Sequence, residues 1–533
     1  MAASKKKAAR KKAAPKAMAL RSTGGRAASK RTAARKTGAR KRDTATDLET
    51  YVNAPGRAAR VKEVRKKIDA LGIDYIYYQF VSVTGRIVGK GIPADHWERT
   101  AERGFQLVYG ATANLFIDRH GNYIGYGPEA PELVGIPDPE TFCQLPWDKR
   151  VARVYCTCFR NREEVEDPGA YLTSDCRGNL RRIHDEFQRK HKGLHLRHGM
   201  EPEMMWLKRG DDGLPAGGFS KPYCYHIDQF ESLRPVFLKV IEYARFMGLD
   251  MIQGDHEDAP GQLELNFTFD DALRTCDRLT TYRQICAQVA RENNLIACFM
   301  SKPFMGVSAN GCHTNISLWR GGRERVNGLG NKSLNGMVGC YTYLEGGDNL
   351  FMPEGDDPQM PGRIGLYAIA GVMKHLDALT ALGCSTVNSY RRLWDTGFWA
   401  PVYKDWGYQN RTTALRISAP GRFEYRAVDS SVNPYLLCSG LLKSFDDGID
   451  NKLDPGRPET RNIYAAMEAG KVVNKLPMSL GEALAALRRD KVVLEALPGE
   501  MQRVFFHYKD DEWAKFMATV TEWDIRTYID CLP

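Results

Sequence analysis

The chain has 533 residues, 43% of them hydrophobic, enough to bury a large core in two or more domains. No run of about 18 apolar residues occurs, so no membrane-spanning helix is expected, and the polar start is unlike a secretory signal. Thirteen cysteines without a CxxC pair suit reduced thiols and a cytoplasmic protein.

The net charge of +11 is concentrated at one end. Residues 1–42 hold sixteen Lys or Arg and no acid; what remains has 60 basic against 65 acidic residues, a net of −5. This tail of Ala, Lys and Arg carries almost nothing large and apolar. It cannot offset its ordering entropy, so residues 1–45 are expected to be disordered. Such a run suits contact with nucleic acid or another polyanion, and equally a solubilising extension; its lysines fit an organellar transit peptide less well.

Residues 58–71, RAARVKEVRKKIDA, predict an amphipathic helix, and 73–83, IDYIYYQFVSV, a strand. GRIVGKGIP (85–93) reads as a turn and a second strand; it lacks the spacing and final Ser or Thr of a phosphate-binding GxxxxGK[ST] loop. Short strands and turns continue to a Pro-rich exit, so 46–168 reads as a small, mostly β domain. From Asp175 the pattern changes: helices are expected at 176–191 and 231–248, then alternate with short strands through a second domain, 169–533.

Four short segments of the second domain place polar side chains on one strand face. Glu201 and Glu203 in GMEPEMMWL are two apart; Glu264 and Asn266 in GQLELNFTF share a face, as do His313, Asn315 and Ser317 in GCHTNISLW, and Arg422, Glu424 and Arg426 in GRFEYRAVD. One such strand is ordinarily a solvent face. Four together, none with a lysine, point elsewhere. Carboxylates two residues apart repel unless a cation lies between them, and oxygen donors with one imidazole suit Mg²⁺ or Mn²⁺ better than zinc. The arginines suit carboxylate or phosphate recognition.

In order, GMEPE, HEDAPGQLE, GCHTNIS, NSYRRL, NRTTALR and RFEYR, followed by NPYL at 433–436, resemble the glutamine synthetase superfamily over about residues 60–450, and within it the branch of γ-glutamylamide synthetases. The resemblance implies an α+β protein: an N-terminal β-grasp domain and a C-terminal catalytic domain with a funnel of antiparallel strands and surrounding helices. It implies homo-oligomeric stacked rings, dodecamer-like, with sites between subunits. ATP would phosphorylate the γ-carboxylate of glutamate, and an amine would displace the phosphate.

By motif position, Glu203, Glu257 and Glu264 would hold one Mg²⁺ or Mn²⁺ and Glu201, His313 and Glu424 another. Arg392 and Arg411 would be catalytic; Ala309, Arg392 and Arg426 would bind glutamate; Asn315, Ser317, Arg411, Arg416 and Arg422 would bind ATP. Tyr464 falls where some bacterial synthetases carry a nucleotide-modified tyrosine, but the acidic sequence that follows there is missing, which favours a structural residue.

The chain departs from the family at the two acids that bind ammonium. Tyr109 in LVYGATAN stands where one aspartate belongs. In RLWDTGFWAP, one residue longer than the family's flap, Trp399 replaces the glutamate, and Asp395 could restore an acid. Tyr109, Tyr223, Trp394, Phe398 and Trp399 are therefore expected to line an amine pocket. An aromatic pocket penalises a bare ammonium ion, whereas an aniline-like amine is neutral at pH 7. The leading expectation is a ligase making γ-glutamylamides from a hydrophobic or aromatic amine. The alternatives are a true glutamine synthetase using ammonia and a non-catalytic ring with a nucleic-acid-binding tail; the complete set of six metal ligands argues against the last.

Overall fold

Alternating apolar side chains build the first sheet. Its strands are β1 (Tyr75–Val81), β2 (Ile87–Pro93), β3 (Phe105–Val108), β4 (Glu132–Pro137), β5 (Cys143–Leu145) and β6 (Asp148–Phe159), in the order β2-β1-β6-β4-β3 with β5 on β6. β1 and β6 run parallel; the other pairs are antiparallel. Ile76, Tyr78, Ala152 and Val154 bury one face together with Trp97 and the helix Arg57–Leu71. The indole N–H of Trp97 donates to the Val61 carbonyl at 2.9 Å, fixing that helix on the sheet. The computed structural model describes residues 44–164, 166–218, 220–328, 340–394 and 400–530. The basic tail 1–42 and the flap residues Asp395, Phe398 and Trp399 lie outside them.

The second sheet is organised by one long strand, β7 (Leu194–Arg209). Around it lie β8 (Pro215–Gly218), β9 (Met251–His256), β10 (Gln262–Phe267), β11 (Asp270–Asp271), β12 (Leu295–Cys298) and β13 (Cys312–Arg320). β14 (Arg323–Gly328) and β15 (Cys340–Glu345) form a separate ribbon. β16 (Asp348–Asn349), β17 (Trp406–Tyr408), β18 (Leu415–Ala419) and β19 (Arg422–Tyr425) complete the sheet. The order is β17-β18-β19-β13-β7-β10-β9, with β8, β11 and β12 on β7 and β16 on β13. β17 and β18 pair in parallel and the rest antiparallel, so the expected antiparallel sheet carries one parallel edge.

Helices cover the apolar side of this sheet, chiefly Cys176–Lys190, Ala272–Glu292, Arg363–Gly383 and Pro434–Asp450. The last two cross at glycines: a Cβ on Gly371 would lie 2.1 Å from the Ser444 carbonyl oxygen, and one on Gly448 2.1 Å from that of Tyr367. Only glycine permits that approach.

The core is continuous across the expected boundary near residue 168, with Phe80 and Tyr155 packed in the same cluster as Leu180 and Leu376. Two polar ties reinforce it. Arg177, 2% exposed, bonds Asp277 (Nε–Oδ1 2.9 Å, Nη2–Oδ2 2.8 Å) and Asp138 just beyond β4 (3.1 Å). Asn433 of the NPYL motif caps the helix Pro434–Asp450 through Oδ1 and donates from Nδ2 to the Ser82 and Val83 carbonyls at 3.1 and 3.2 Å. Pro434 at the first helical position needs no hydrogen-bond acceptor there. Residues 46–533 form one unit. Among the described residues no helix is long and apolar enough to cross a membrane.

Candidate active site

Strand register brings the polar faces together. His313 on β13 lies opposite Glu201 on β7, and Asn315 opposite Glu424 on β19, which in turn faces Arg416 on β18. On the other side of β7, Glu203 lies opposite Glu264 on β10, and Glu264 opposite Asp255 on β9. Three carboxylates thus stand side by side across three strands, where like charges destabilise a sheet. The side chains alternate as the sequence predicts: Leu263, Leu265 and Phe267 enter the core, and Glu264 faces the other way.

One end of the cleft is a compact ligand set. Glu201, His313 and Glu424 each offer a ligand atom within 4.8 Å of the others; His313 Nδ1 is 3.7 Å from Glu201 and 3.5 Å from Glu424. Burial and the Arg426 guanidinium hold the imidazole well below its usual pKa, so it is neutral, as a metal ligand must be. Although burial opposes it, the Arg426 and Arg416 guanidinium groups hold Glu424 below the ordinary carboxylate range. Arg416 reaches Glu424 Oε2 at 2.6 Å, and Arg426 binds Oε1.

The other end is crowded with acids. Burial, then Glu201, Glu203 and Glu257, push Glu264 well above its usual range. Burial, Glu203 and Asp255 push Glu257 from an ordinary value of 4.5 up to about 8. Asp255 Oδ1 is buried without a hydrogen-bond partner. A site of many oxygens, one neutral imidazole and mutual repulsion fits divalent cations of the Mg²⁺ or Mn²⁺ type. Gly311 makes room at its centre: its N–H donates to Glu203 Oε2 at 2.7 Å, and a Cβ there would sit 3.0 Å from Glu203 Oε1 and 3.1 Å from His313 Nε2.

These shifts carry a sign. Between pH 4.5 and about 8 the folded protein holds a proton on Glu257 that the unfolded chain releases. Without cations, stability is expected to fall as pH rises through this window. Saturating Mg²⁺ should raise the melting temperature most at the alkaline end and flatten the profile. Melting curves from pH 5 to 9 with Mg²⁺ or EDTA check this; a profile identical under both conditions would refute it.

Arginines line the same cleft. Arg392, 4% exposed, lies 3.5 Å from His313 Nε2, and Arg426 is 1% exposed. Arg411 is exposed and close enough to Glu257 and His313 to act on both. Ala309 joins through its carbonyl, which accepts from Gln262 Nε2 at 2.9 Å; the same amide reaches Glu203 at 3.2 Å. Asn315 donates to Glu201 at 2.7 Å. Ser317 is committed elsewhere, donating to the Arg197 carbonyl at 3.3 Å and accepting the Trp319 indole N–H at 2.8 Å. Arg422 is exposed at the start of β19. Two polar members of the cleft escaped the sequence reading. Asp255 lies two residues before Glu257 in GDHED, the same spacing that marked Glu201 and Glu203, and Gln262 lies in the quoted PGQ.

The pattern described as glutamine synthetase, catalytic domain, matches residues 173–341 and 342–528, more than half of the chain. The chain belongs to the glutamine synthetase family. The glutamate–methylamine ligase of Methyloversatilis universalis is 32% identical over 477 residues, covering 86% of this chain and 96% of that protein. The glutamine synthetase of Pyrococcus furiosus is 33% identical over 479 residues, covering 86% and 96%. Among solved structures, a GmaS/ADP complex aligns with a TM-score of 0.74 at 29% identity, over 88% of this chain and 99% of that one. GmaS without ligand gives 0.73, with the same identity and coverage.

The aromatic residues of this family member are placed less uniformly than expected. Tyr109 is 2% exposed: the turn Tyr109–Ala113 points its ring inward, 5.3 Å from Tyr126, and its hydroxyl donates to Glu164. Within one subunit its ring packs in the core against Tyr126. Trp394 is 67% exposed, with its indole N–H on the Met478 carbonyl at 2.8 Å. Tyr223 is also exposed, its ring 5.1 Å from that of His226. Tyr464 packs edge-on against Tyr403 at 5.6 Å.

Proposed function

We propose that this glutamate–amine ligase joins the γ-carboxylate of glutamate to an organic amine, consuming ATP and forming a γ-glutamylamide. The carrying observation is Tyr109. By motif position it stands where the family's ammonium-binding aspartate belongs, and the acid its hydroxyl meets, Glu164, is already engaged. Its oxygens accept from the Tyr109 hydroxyl, the Asn161 N–H at 3.1 Å and Arg160 at 3.2 Å. Among the described residues, Glu164 is thus engaged by its own loop and by Tyr109. The likeness to glutamate–methylamine ligase supports the same reading.

In this proposal Glu203, Glu257 and Glu264 hold one divalent cation and Glu201, His313 and Glu424 another. When bound, these cations neutralise triphosphate oxygens and the charge that develops in phosphoryl transfer. The residues of the chain do the rest. Arg392, Arg411 and Arg426 bring guanidinium donors to glutamate and to the transferring phosphoryl group; Asn315, Arg416 and Arg422 serve the nucleotide side. The γ-phosphoryl group passes from ATP to the glutamate carboxylate, releasing ADP. The amine nitrogen then attacks the acyl phosphate carbon, phosphate leaves with the C–O bond electrons, and the nitrogen loses a proton. Sites built between subunits of a stacked ring, and a basic tail that contacts polyanions, complete the proposal for a cytoplasmic enzyme.

Within the organic amines we favour hydrophobic or aromatic ones. An aniline nitrogen is neutral at pH 7 and needs no acid to collect or deprotonate it, and its ring can stack on aromatic side chains. The likeness to glutamine synthetases favours ammonia as the alternative. One assay separates them: ADP release with ATP, glutamate and ammonia, methylamine, benzylamine, aniline or a polyamine. An organic amine is expected to give the highest kcat/KM; ammonia equalling the best of them would overturn the proposal.

A further inference from the structure

We infer that Cys276 and Cys438 are a modification site: hydrogen peroxide oxidises them to a disulfide beneath β7 that reversibly slows the ligase, whichever amine it uses. The two thiols stand 162 residues apart in the chain, on the helices Ala272–Glu292 and Pro434–Asp450, with their Sγ atoms 3.7 Å from each other. His198 completes the cluster, on the face of β7 opposite Glu201. Its Nδ1 and Nε2 lie 3.7 and 3.6 Å from Cys438 Sγ, and Nε2 lies 4.0 Å from Cys276 Sγ. All three side chains are buried. Nε2 also meets the Ala272 carbonyl at 3.1 Å; a carbonyl only accepts, so Nε2 carries a proton. Burial opposes it, but the Cys276 thiol and the His198 imidazole hold Cys438 below its ordinary pKa, while burial and Cys438 push Cys276 well above its own. Cys438 is thus the attacking sulfur and Cys276 the resolving one.

Cys438 sulfur attacks one peroxide oxygen; the O–O bond breaks, and the departing oxygen takes the Cys438 proton and leaves as water, which gives a sulfenic acid. Cys276 sulfur then attacks the sulfenic sulfur; the S–O bond breaks, and the hydroxyl leaves with the Cys276 proton as a second water. The two thiols together give up two electrons, and the peroxide takes them. The sulfurs close from 3.7 Å to about 2.05 Å, which draws the two helices together. Thr275, next to Cys276, donates from Oγ1 to the His198 carbonyl at 2.9 Å, so the movement reaches β7 three residues before Glu201. Burial restricts the oxidant to a small neutral molecule admitted by local opening, and hydrogen peroxide is little larger than water. Simple filling of the core by two small side chains is the competing explanation, but it gives no reason for a buried imidazole set against one of them. A soft metal ion is another use for such a trio. Cys276 lies on the protonated Nε2 side, however, so the free lone pair of Nδ1 does not face both sulfurs.

Full-length wild type, Cys276→Ala and Cys438→Ala are treated with hydrogen peroxide, digested without reductant and mapped by mass spectrometry. ADP release with ATP, glutamate, Mg²⁺ and the best amine is measured before treatment, after it, and after adding dithiothreitol. The treated wild type is expected to yield one linked peptide pair joining Cys276 to Cys438, short of two hydrogens, and to lose turnover by about tenfold or more, as a small displacement beneath a catalytic strand can cause. Dithiothreitol should cleave the pair and restore the rate. Each alanine variant should keep its untreated turnover, give no linked pair and lose the dithiothreitol-reversible part of the inhibition. The absence of the linked pair from treated wild type would overturn the inference, as would a linked wild type with unchanged turnover. Variants inhibited as reversibly as wild type would assign the effect to another cysteine and overturn it too, as would one zinc ion per chain bound by unreactive thiols. If an alanine variant does not fold, the linked pair and the recovery of rate in wild type decide the question.

Discussion

Glu264→Gln is expected to lower glutamate-dependent ADP formation by about 10³-fold or more, because it removes a charged oxygen donor from the cation site proposed at Glu203, Glu257 and Glu264. The substitution keeps the shape of the side chain and can still pair with Asn266, whose Nδ2 lies 2.6 Å from Glu264 Oε1. It also takes one acid out of a row in which Asp255, Glu264 and Glu203 face one another. The cation-free variant should therefore melt no lower than wild type, and its gain in melting temperature on adding Mg²⁺ should shrink. Turnover near the wild-type level would show that the cation assignment is wrong. Loss of turnover together with a large fall in melting temperature would show that Glu264 serves the fold instead.

Arg177→Met is expected to be the most destabilising single change away from the cleft. The guanidinium is fully buried between Asp277 and Asp138, which face it at 2.8 and 3.1 Å. Removing it leaves two buried carboxylates without their main counter-charge, although Arg181 still reaches Asp138 at 2.5 Å. Breaking a buried pair of this kind costs about 3–5 kcal/mol. The effect should appear as an earlier unfolding transition in urea and faster thermal inactivation, with the KM values of the surviving folded enzyme nearly unchanged. An unfolding transition at the wild-type position would show that the ion pairs contribute little.

Much of the site was legible in the amino-acid sequence because strands have a strict period of two. Glu201 with Glu203, and Glu264 apart from Leu263 and Leu265, declare one polar face each, and side-chain direction follows from backbone geometry alone. The ordered motifs supplied the α+β family fold. The same spacing could have revealed Asp255, two residues before Glu257.

Tertiary structure alone decided what no spacing contains. Cross-strand register sets His313 opposite Glu201 and Glu264 between Glu203 and Asp255, partners up to 112 residues apart in the chain. It also decided which aromatic rings are spent on the core. Tyr109 and Tyr225 are the same residue type in loops of similar polarity. One is folded inward onto Tyr126 with its hydroxyl on Glu164; the other is held outward by a left-handed backbone fastened to His256. A side chain's fate in a loop depends on φ and on distant packing partners, and neither has a period that can be read along the chain.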